Sequence, residues 1–203
     1  MIQTVVLATR NKYKFNEILE LLPGLKVEMK TLDNFPGAPE VVEDGATLEE
    51  NASKKAKSAA LFCGFWALAD DTGLQVDALG GAPGVYSARY AGPGCSYSDN
   101  NLKLLAELAG LPPEKRTARF CCVMALSSPA GSVITVEGRL EGRMTCAPLG
   151  ANGFGYDPLF LIPGVGKTLA ELTPAEKNAL SHRAAAVVKI EPYLKRLIGR
   201  AAS

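Results

Sequence analysis

The sequence predicts an α/β protein built on a mixed sheet, and two patterns in it predict that class. Up to Gly110, short apolar runs with β-branched residues alternate with stretches of helical periodicity, as in strand-helix-strand units. Further on, "RFCCVMALSS" and "SVITVEGRLEG" flank "PAG" as the two arms of an antiparallel hairpin. A chain of 203 residues, 47% hydrophobic and 21% charged, has the composition of a soluble globular enzyme. At this length roughly 70% of the unfolded surface is buried on folding, so the core needs no covalent staples. Length and the lack of any linker, repeat or low-complexity tract predict one domain, or a bilobed one, over residues 1–203.

The elements follow in order. Residues 2–8, "IQTVVLA", read as a buried strand. In the helix that follows, Phe15, Ile18, Leu19 and Leu22 recur at helical spacing before Pro23-Gly24 stops it. Residues 25–32 form a second strand. Residues 47–64 form a second helix, with Thr47 and Glu50 as a capping box and Gly64 as its stop. The apolar stripe of this helix passes through Leu48, Ala52, Ala56 and Ala59, and Asn51 and Lys55 point the same way. A lysine on a buried face needs an anionic partner. A strand at 65–70 ends in Asp70-Asp71, and a helix at 98–110 turns Leu102, Leu105 and Leu108 inward. After the hairpin, "PLFLI" is a further short strand. Thr173, Pro174 and Glu176 open a last helical stretch, with interruptions expected at Ser181 and near Pro192.

Several function classes are excluded by composition. A net charge of +1 gives no global field for nucleic acid or membrane, so an anionic ligand must be recognised locally. The five cysteines (Cys63, Cys95, Cys121, Cys122, Cys146) are odd in number and include no C-x-x-C pair, against a disulfide framework or a zinc site. No cleavage-site pattern follows the N-terminal apolar run, and nowhere do 18 apolar residues occur in succession. A cytoplasmic protein is expected.

"LFLIPGVGKTLAEL" (159–172) mimics a nucleoside-triphosphate loop but fails its mechanics. The opening glycine of G-x-x-x-x-G-K-[ST] falls on Leu161, and Pro163 removes an N–H that a phosphate cradle would use. The segment reads instead as a strand-to-helix connection with a surface lysine.

Chemistry is better provided for elsewhere. "TRNKYK" puts the Thr9 hydroxyl, the Asn11 amide and the Lys14 ammonium around a helix N-terminus, whose N–H groups and dipole favour anions. The same residues also fit a plain capped helix with Thr9 as its cap. Asp70 and Asp71 place two carboxylates where open α/β sheets bind ligands, with Glu43 available from a loop. Mg2+ takes one or two carboxylates together with substrate phosphates, yet two aspartates also cap turns. In "GANGFGYDP", Phe154, Tyr156 and Asp157 lie in a Gly-rich turn; exposed aromatics there would stack on a base, and buried ones would simply be core. His182, the only histidine, stands beside Arg183 and after Lys177. Without a second histidine, a triad or zinc hydrolase finds no support.

Taken together, "TRNKYK", "EDG" with "EENASKKA", "ADDTGLQVDALGGAPGVYSARYAG", "GFGYDPLF" and "EKNALSHR" closely resemble the inosine triphosphate pyrophosphatase family, in order over residues 5–188. The resemblance implies an elongated mixed sheet with flanking helices, two lobes around a central substrate cleft, and a homodimer. It implies hydrolysis of non-standard purine nucleoside triphosphates (ITP, dITP, XTP) to the monophosphate and pyrophosphate. By the same resemblance Thr9, Arg10, Asn11, Lys12, Tyr13 and Lys14 bind phosphate, with Lys55 a further triphosphate contact and Thr72 touching substrate. Asp71 is the metal and general-base position, with Glu43 and Asp70 as acidic helpers. Phe154, Gly155, Tyr156, Asp157, Lys177, His182 and Arg183 read the base. Many family members have glycine where Arg10 stands.

The mechanism this implies is Mg2+-dependent attack at the α-phosphorus, with Lys14 and Lys55 clamping the leaving pyrophosphate and Asp71 orienting or deprotonating the water. Donors on His182 and Arg183 would pair with a 6-oxo group, and a site built on such donors can reject the amino analogue by about 10⁴- to 10⁵-fold. Two other readings are a septum-inhibitor-type pyrophosphatase acting on pyrimidine or modified nucleotides, and a non-catalytic nucleotide-binding regulator.

Overall fold

In a computed structural model that describes residues 3–200, the chain divides into two compact units. The first takes the chain up to Asp71, Cys122–Gly138 and the residues from Arg183 onward; the second takes Thr72–Cys121 and Arg139–His182. Seven strands, β1 (Gln3–Leu7), β2 (Val27–Thr31), β3 (Trp66–Val76), β4 (Thr117–Ser127), β5 (Val133–Met144), β6 (Phe160–Ile162) and β7 (Lys167–Thr168), form one sheet in the order β2-β1-β3-β4-β5-β6-β7. β1 pairs in parallel with β2 and β3, whereas β6 pairs antiparallel with β5 and β7. The sheet is therefore mixed, as expected. Its helices are α1 (Lys12–Leu21), α2 (Leu48–Cys63), α3 (Tyr97–Glu107), α4 (Pro174–Leu180) and α5 (His182–Arg200).

In the first unit β1 is buried from Thr4 to Leu7; the expected strand also included Ile2, which lies outside the described residues. Val5, Leu7, Ile18, Leu22, Leu68, Met124, Val187 and Ile190 belong to one core. Ile18 and Leu22 of the α1 stripe reach that core, but Leu19 stays on the surface. The predicted stripe of α2 is buried throughout, and Gly64 ends the helix in the left-handed region at φ 72°. Thr47 caps α2 through the Glu50 N–H, but the Glu50 carboxylate reaches back to the Ala46 N–H, one residue beyond the expected box. The expected break near Pro192 is absent, and α5 runs through it. The carbonyl that Pro192 leaves without a helical donor belongs to Val188, which is 69% exposed, so water can satisfy it.

The second unit packs Leu74, Leu104, Leu108, Phe120, Tyr156, Leu159, Phe160 and Leu169 into its own core. Two sequence expectations change here. Leu102 is 63% exposed, whereas Leu105 packs against the core and Leu108 is buried as expected, alongside Asn100 and Leu104. Asn100 tolerates burial because it accepts from the Ala91 N–H and donates to the Ala88 carbonyl, which satisfies its polar ends. The false phosphate loop joins β6 to β7 as a hairpin rather than a strand to a helix. Its Val165 and Gly166 N–H groups both donate to the Ile162 carbonyl, so the turn itself consumes the donors a phosphate would need.

Arg116 is a buried strut in this unit, donating to the carbonyls of Leu108 (2.8 Å), Leu111 (2.9 Å) and Thr145 (3.0 Å). Arg116→Met would leave those carbonyls short of a donor. We expect it to lower unfolding stability by about 3 kcal/mol, read by urea denaturation; a loss within experimental error would show that water replaces the guanidinium.

Candidate functional site

The charged residues of the first unit converge beyond the carboxyl end of β1. β1 pairs with β3 only as far as Leu7 and Leu68, and the next backbone bond is from the Ala8 N–H to the Leu68 carbonyl. β3 then continues past its neighbour's end, carrying Asp70 and Asp71 alongside the turn into α1. The sequence placed these aspartates at a strand end; they lie within an eleven-residue strand. Asp-Asp-Thr-Gly has turn propensity, but the carboxylates find cations on other elements, and those long-range pairs favour the extended backbone.

In the turn, Asn11 and not Thr9 is the N-cap. Asn11 Oδ1 accepts from the Tyr13 and Lys14 N–H groups, while Thr9 Oγ1 accepts from the Asn11 N–H. Most of the turn's backbone donors are therefore engaged locally, and Lys14 carries its charge toward the site. Lys14 Nζ lies 3.0 Å from Asp70 Oδ2. Lys12 and Tyr13 are exposed, and Arg10 donates to the Ala38 carbonyl at 3.0 Å, tying the turn to the loop that carries Glu43.

Lys55 projects inward from α2, as its helical phase predicted, and meets the anionic partners it requires. Its Nζ lies 2.9 Å from Glu43 Oε1 and 3.0 Å from Asp71 Oδ1. Gly45 brings the Glu43 loop against α2, since a Cβ there would come within 2.6 Å of Asn51 Oδ1, which accepts from the Gly45 N–H. Burial would pull the Lys55 ammonium down, but Asp71, Asp70 and Glu43 together hold it above its ordinary pKa.

The adjacent aspartates differ electrostatically. Burial pushes the Asp70 carboxyl up, yet the charges of Lys14, Arg183 and Lys55 outweigh it and hold Asp70 well below the usual carboxylate range. For Asp71 burial wins over Lys55 and Lys14, and the Glu43 charge adds to it, so this carboxyl is raised. Asp71 Oδ2 is buried without a hydrogen-bond partner. Asp71 is thus the more basic of the two, with an unbonded acceptor oxygen.

Arg183 is 1% exposed and belongs to the first unit, where it pairs with Glu17 and, at 3.3 Å, with Asp70. Among the described residues no three His, Cys, Asp or Glu side chains converge as a metal site. Lys55 stands between Glu43 and Asp71, and Asp70 is turned to Lys14 and Arg183, so cations separate the carboxylates. Asp71 Oδ2 still fits a hard cation that takes its remaining ligands from phosphate and water.

The second unit holds the other candidates. Asp157 Oδ2 accepts from Lys177 Nζ at 2.6 Å and from the Phe154 N–H at 2.9 Å, so one buried carboxylate fixes both the lysine and the turn. Gly153 must be glycine, because a Cβ there would sit 2.1 Å from that same carboxylate oxygen. Phe154 is half-buried, with Lys177 Nζ 4.9 Å from its ring centre. Of the two alternatives open for the aromatics of this turn, Tyr156 takes the buried one: it is 5% exposed, lies in the core, and donates its hydroxyl to the Ser87 carbonyl. His182 is buried and stacks on Phe120 at 4.6 Å. Gly155 lies in the left-handed region at φ 62°, and Thr72 is half-buried in β3 next to Asp71.

Three contributors escaped the sequence reading. Glu17 pairs with Arg183 across 166 positions, a separation that no local pattern reports. Tyr97 and Asn101, one helical turn apart on α3, contact Phe154 and the Gly155 carbonyl. Their shared face was legible as a helix face, but its target was not.

Comparison with known proteins agrees over nearly the whole length. The sequence model of the Ham1 family matches residues 5–193. A dITP/XTP pyrophosphatase from Geobacter sulfurreducens is 53% identical over 190 residues, covering 94% of this chain and 96% of the relative. Another, from Exiguobacterium sibiricum, is 49% identical over 195 residues, covering 96% and 98%. A solved HAM1 protein from Coxiella burnetii superposes with a TM-score of 0.88 at 40% identity, covering 96% of this chain and all of that one. On a family match that spans both the Lys55–Asp71 cluster and the Phe154–Lys177 turn, the chain belongs to the Ham1 family.

Proposed function

We propose that the protein hydrolyses non-standard purine nucleoside triphosphates, with dITP, ITP and XTP as its substrates, to the monophosphate and pyrophosphate. The observation that carries this reading is the Lys55–Asp71 pair, an inward lysine 3.0 Å from a buried aspartate whose second oxygen is unbonded. The names of the full-length relatives supply the substrate class.

The residues divide the work by chemistry. Lys14 and Lys55 are the cations for a triphosphate, and each is held in place beforehand by a carboxylate. Such preorganised charges stabilise the transition state without reorganising at the moment of reaction. Asp71, raised by burial, accepts a proton from the attacking water or orients it. Asp70 and Arg183 lock each other and keep Lys14 aimed. Asp71, with Glu43, is the place for Mg2+, which when bound neutralises charge on phosphate oxygens. Phe154 offers a ring for stacking, while Lys177 and His182 are the donors left for a 6-oxo purine once Arg183 is assigned to Asp70. The same reading takes the working form to be a cytosolic homodimer acting on free nucleotides.

The test is pyrophosphate release from ITP, dITP, XTP, ATP, GTP, dTTP and UTP, with Mg2+ and with EDTA. We expect release from the first three that EDTA abolishes. Preference for dTTP or UTP would replace the purine reading, and undiminished release in EDTA would remove the metal from it.

A further inference from the structure

We propose that Asn101 and Tyr97 are positioning residues for the Phe154 turn, so that α3 helps set how tightly the purine ring is gripped. This rests on the reading that Phe154 and Lys177 take the base. Within the turn the Asp157 carboxylate holds the Phe154 N–H and Lys177 Nζ, and the Asp157 N–H donates to the Phe154 carbonyl. These bonds fix the backbone at 154 but not the carbonyl of Gly155, because that residue is in the left-handed region at φ 62° and has no side chain to restrain it. Asn101 Nδ2 donates to that carbonyl at 3.0 Å. One turn earlier on the same helix face, the Tyr97 ring packs on Phe154 with centres 6.0 Å apart and planes tilted by 41°. The Phe154 ring thus meets both Tyr97 and the Lys177 ammonium.

The helix offering these contacts is itself held. Ser96 and Asp99 form a reciprocal capping box at its start. Asn100 ties it to the Ala91 N–H and the Ala88 carbonyl. A fixed helix can impose a conformation on a glycine-containing turn, whereas the turn has little with which to move the helix. The Gly155 bond and the tyrosine ring therefore restrict the Phe154 conformations available before substrate arrives, and prior restriction lowers the entropic cost of binding.

The experiment compares KM and kcat for ITP and ATP in Asn101→Asp, Asn101→Ser, Tyr97→Ala, Tyr97→Phe and Phe154→Ala, with thermal unfolding of each. Asn101→Asp keeps the shape of the side chain and removes the donor. We expect its KM for ITP to rise about five- to tenfold, the cost of one lost hydrogen bond, with kcat changing far less and the ITP over ATP preference narrowing. Tyr97→Ala should move the same ratio, and Tyr97→Phe, which keeps the ring, should move it less. Asn101→Ser provides the measurement if the aspartate does not fold. A lower unfolding temperature with unchanged KM and preference would mark Asn101 and Tyr97 as merely structural and overturn the proposal. If Phe154→Ala shifts the preference while the α3 variants do not, the base reading stands and this proposal falls. If Phe154→Ala also shifts nothing, both fall.

Discussion

Asp71→Asn is expected to lower turnover by about 10³-fold or more at neutral pH while leaving the fold as stable as the wild type or slightly more so. The two effects share one origin. Asp71 is raised because burial penalises its charge more than Lys55 and Lys14 compensate, and the Glu43 charge adds to that penalty. A carboxyl whose folded pKa lies above its unfolded value contributes stability that is fully present below the unfolded pKa and lost as pH rises through the folded one. At neutral pH the ionised side chain is therefore a cost, carried at a position where a basic oxygen is useful. Asparagine removes the charge and with it the base. Lys55 still keeps Glu43 at 2.9 Å, so no buried cation is stranded. Pyrophosphate release and urea denaturation on the same preparation check both halves. Near-normal turnover would remove Asp71 from the chemistry, and a loss of several kcal/mol would show that the Lys55 pair outweighs burial.

Its neighbour should behave in the opposite way. Asp70→Asn is expected to cost about 3–5 kcal/mol of folding stability, the usual consequence of removing one partner of a buried charge pair. The Asp70 side chain is fully buried, 3.0 Å from Lys14 and 3.3 Å from Arg183, and the substitution leaves Arg183 with Glu17 as its remaining carboxylate. The sign of the pH dependence follows from its depressed folded pKa. The stabilisation is present above the unfolded carboxylate pKa and is lost as pH falls through the folded one. Wild type and variant should therefore differ by a constant amount near neutrality and converge below about pH 4, where an unfolded aspartate begins to protonate. Urea unfolding from pH 3 to pH 8 reads this directly. A difference that widened on acidification would contradict the assignment of Asp70 as the paired, structural carboxylate.

Much of this was legible along the chain. β1, α1, α2, the hairpin and the capped start of α4 follow from short-range rules, because caps, periodicity and turn residues act within a few positions. Lys55 was recognisable as an inward cation for the same reason, since helical phase is a local property. Where the reading missed, a distant contact had overruled a local preference. Asp70-Asp71 looks like a turn and is strand because cations from α1, α2 and α5 meet it. Leu102 looks inward and is not, whereas Asn100 is buried because it finds backbone partners. Tyr156 could be platform or core from its position in the chain, and it is core, with the Ser87 carbonyl satisfying its hydroxyl.

The sequence by itself determined the α/β class, the order and approximate bounds of most elements, the failure of "GVGKT" as a phosphate loop and the family to which the motifs belong. Only the tertiary structure decided which aspartate carboxyl is held down by cations and which is raised by burial, that Arg183 pairs with Asp70, and that Tyr97 and Asn101 of α3 contact the Phe154 turn. Local rules set which conformations and side chains are available. Burial and charge pairing depend on residues far apart in the chain, and those interactions shift the carboxyls of two identical neighbouring aspartates in opposite directions.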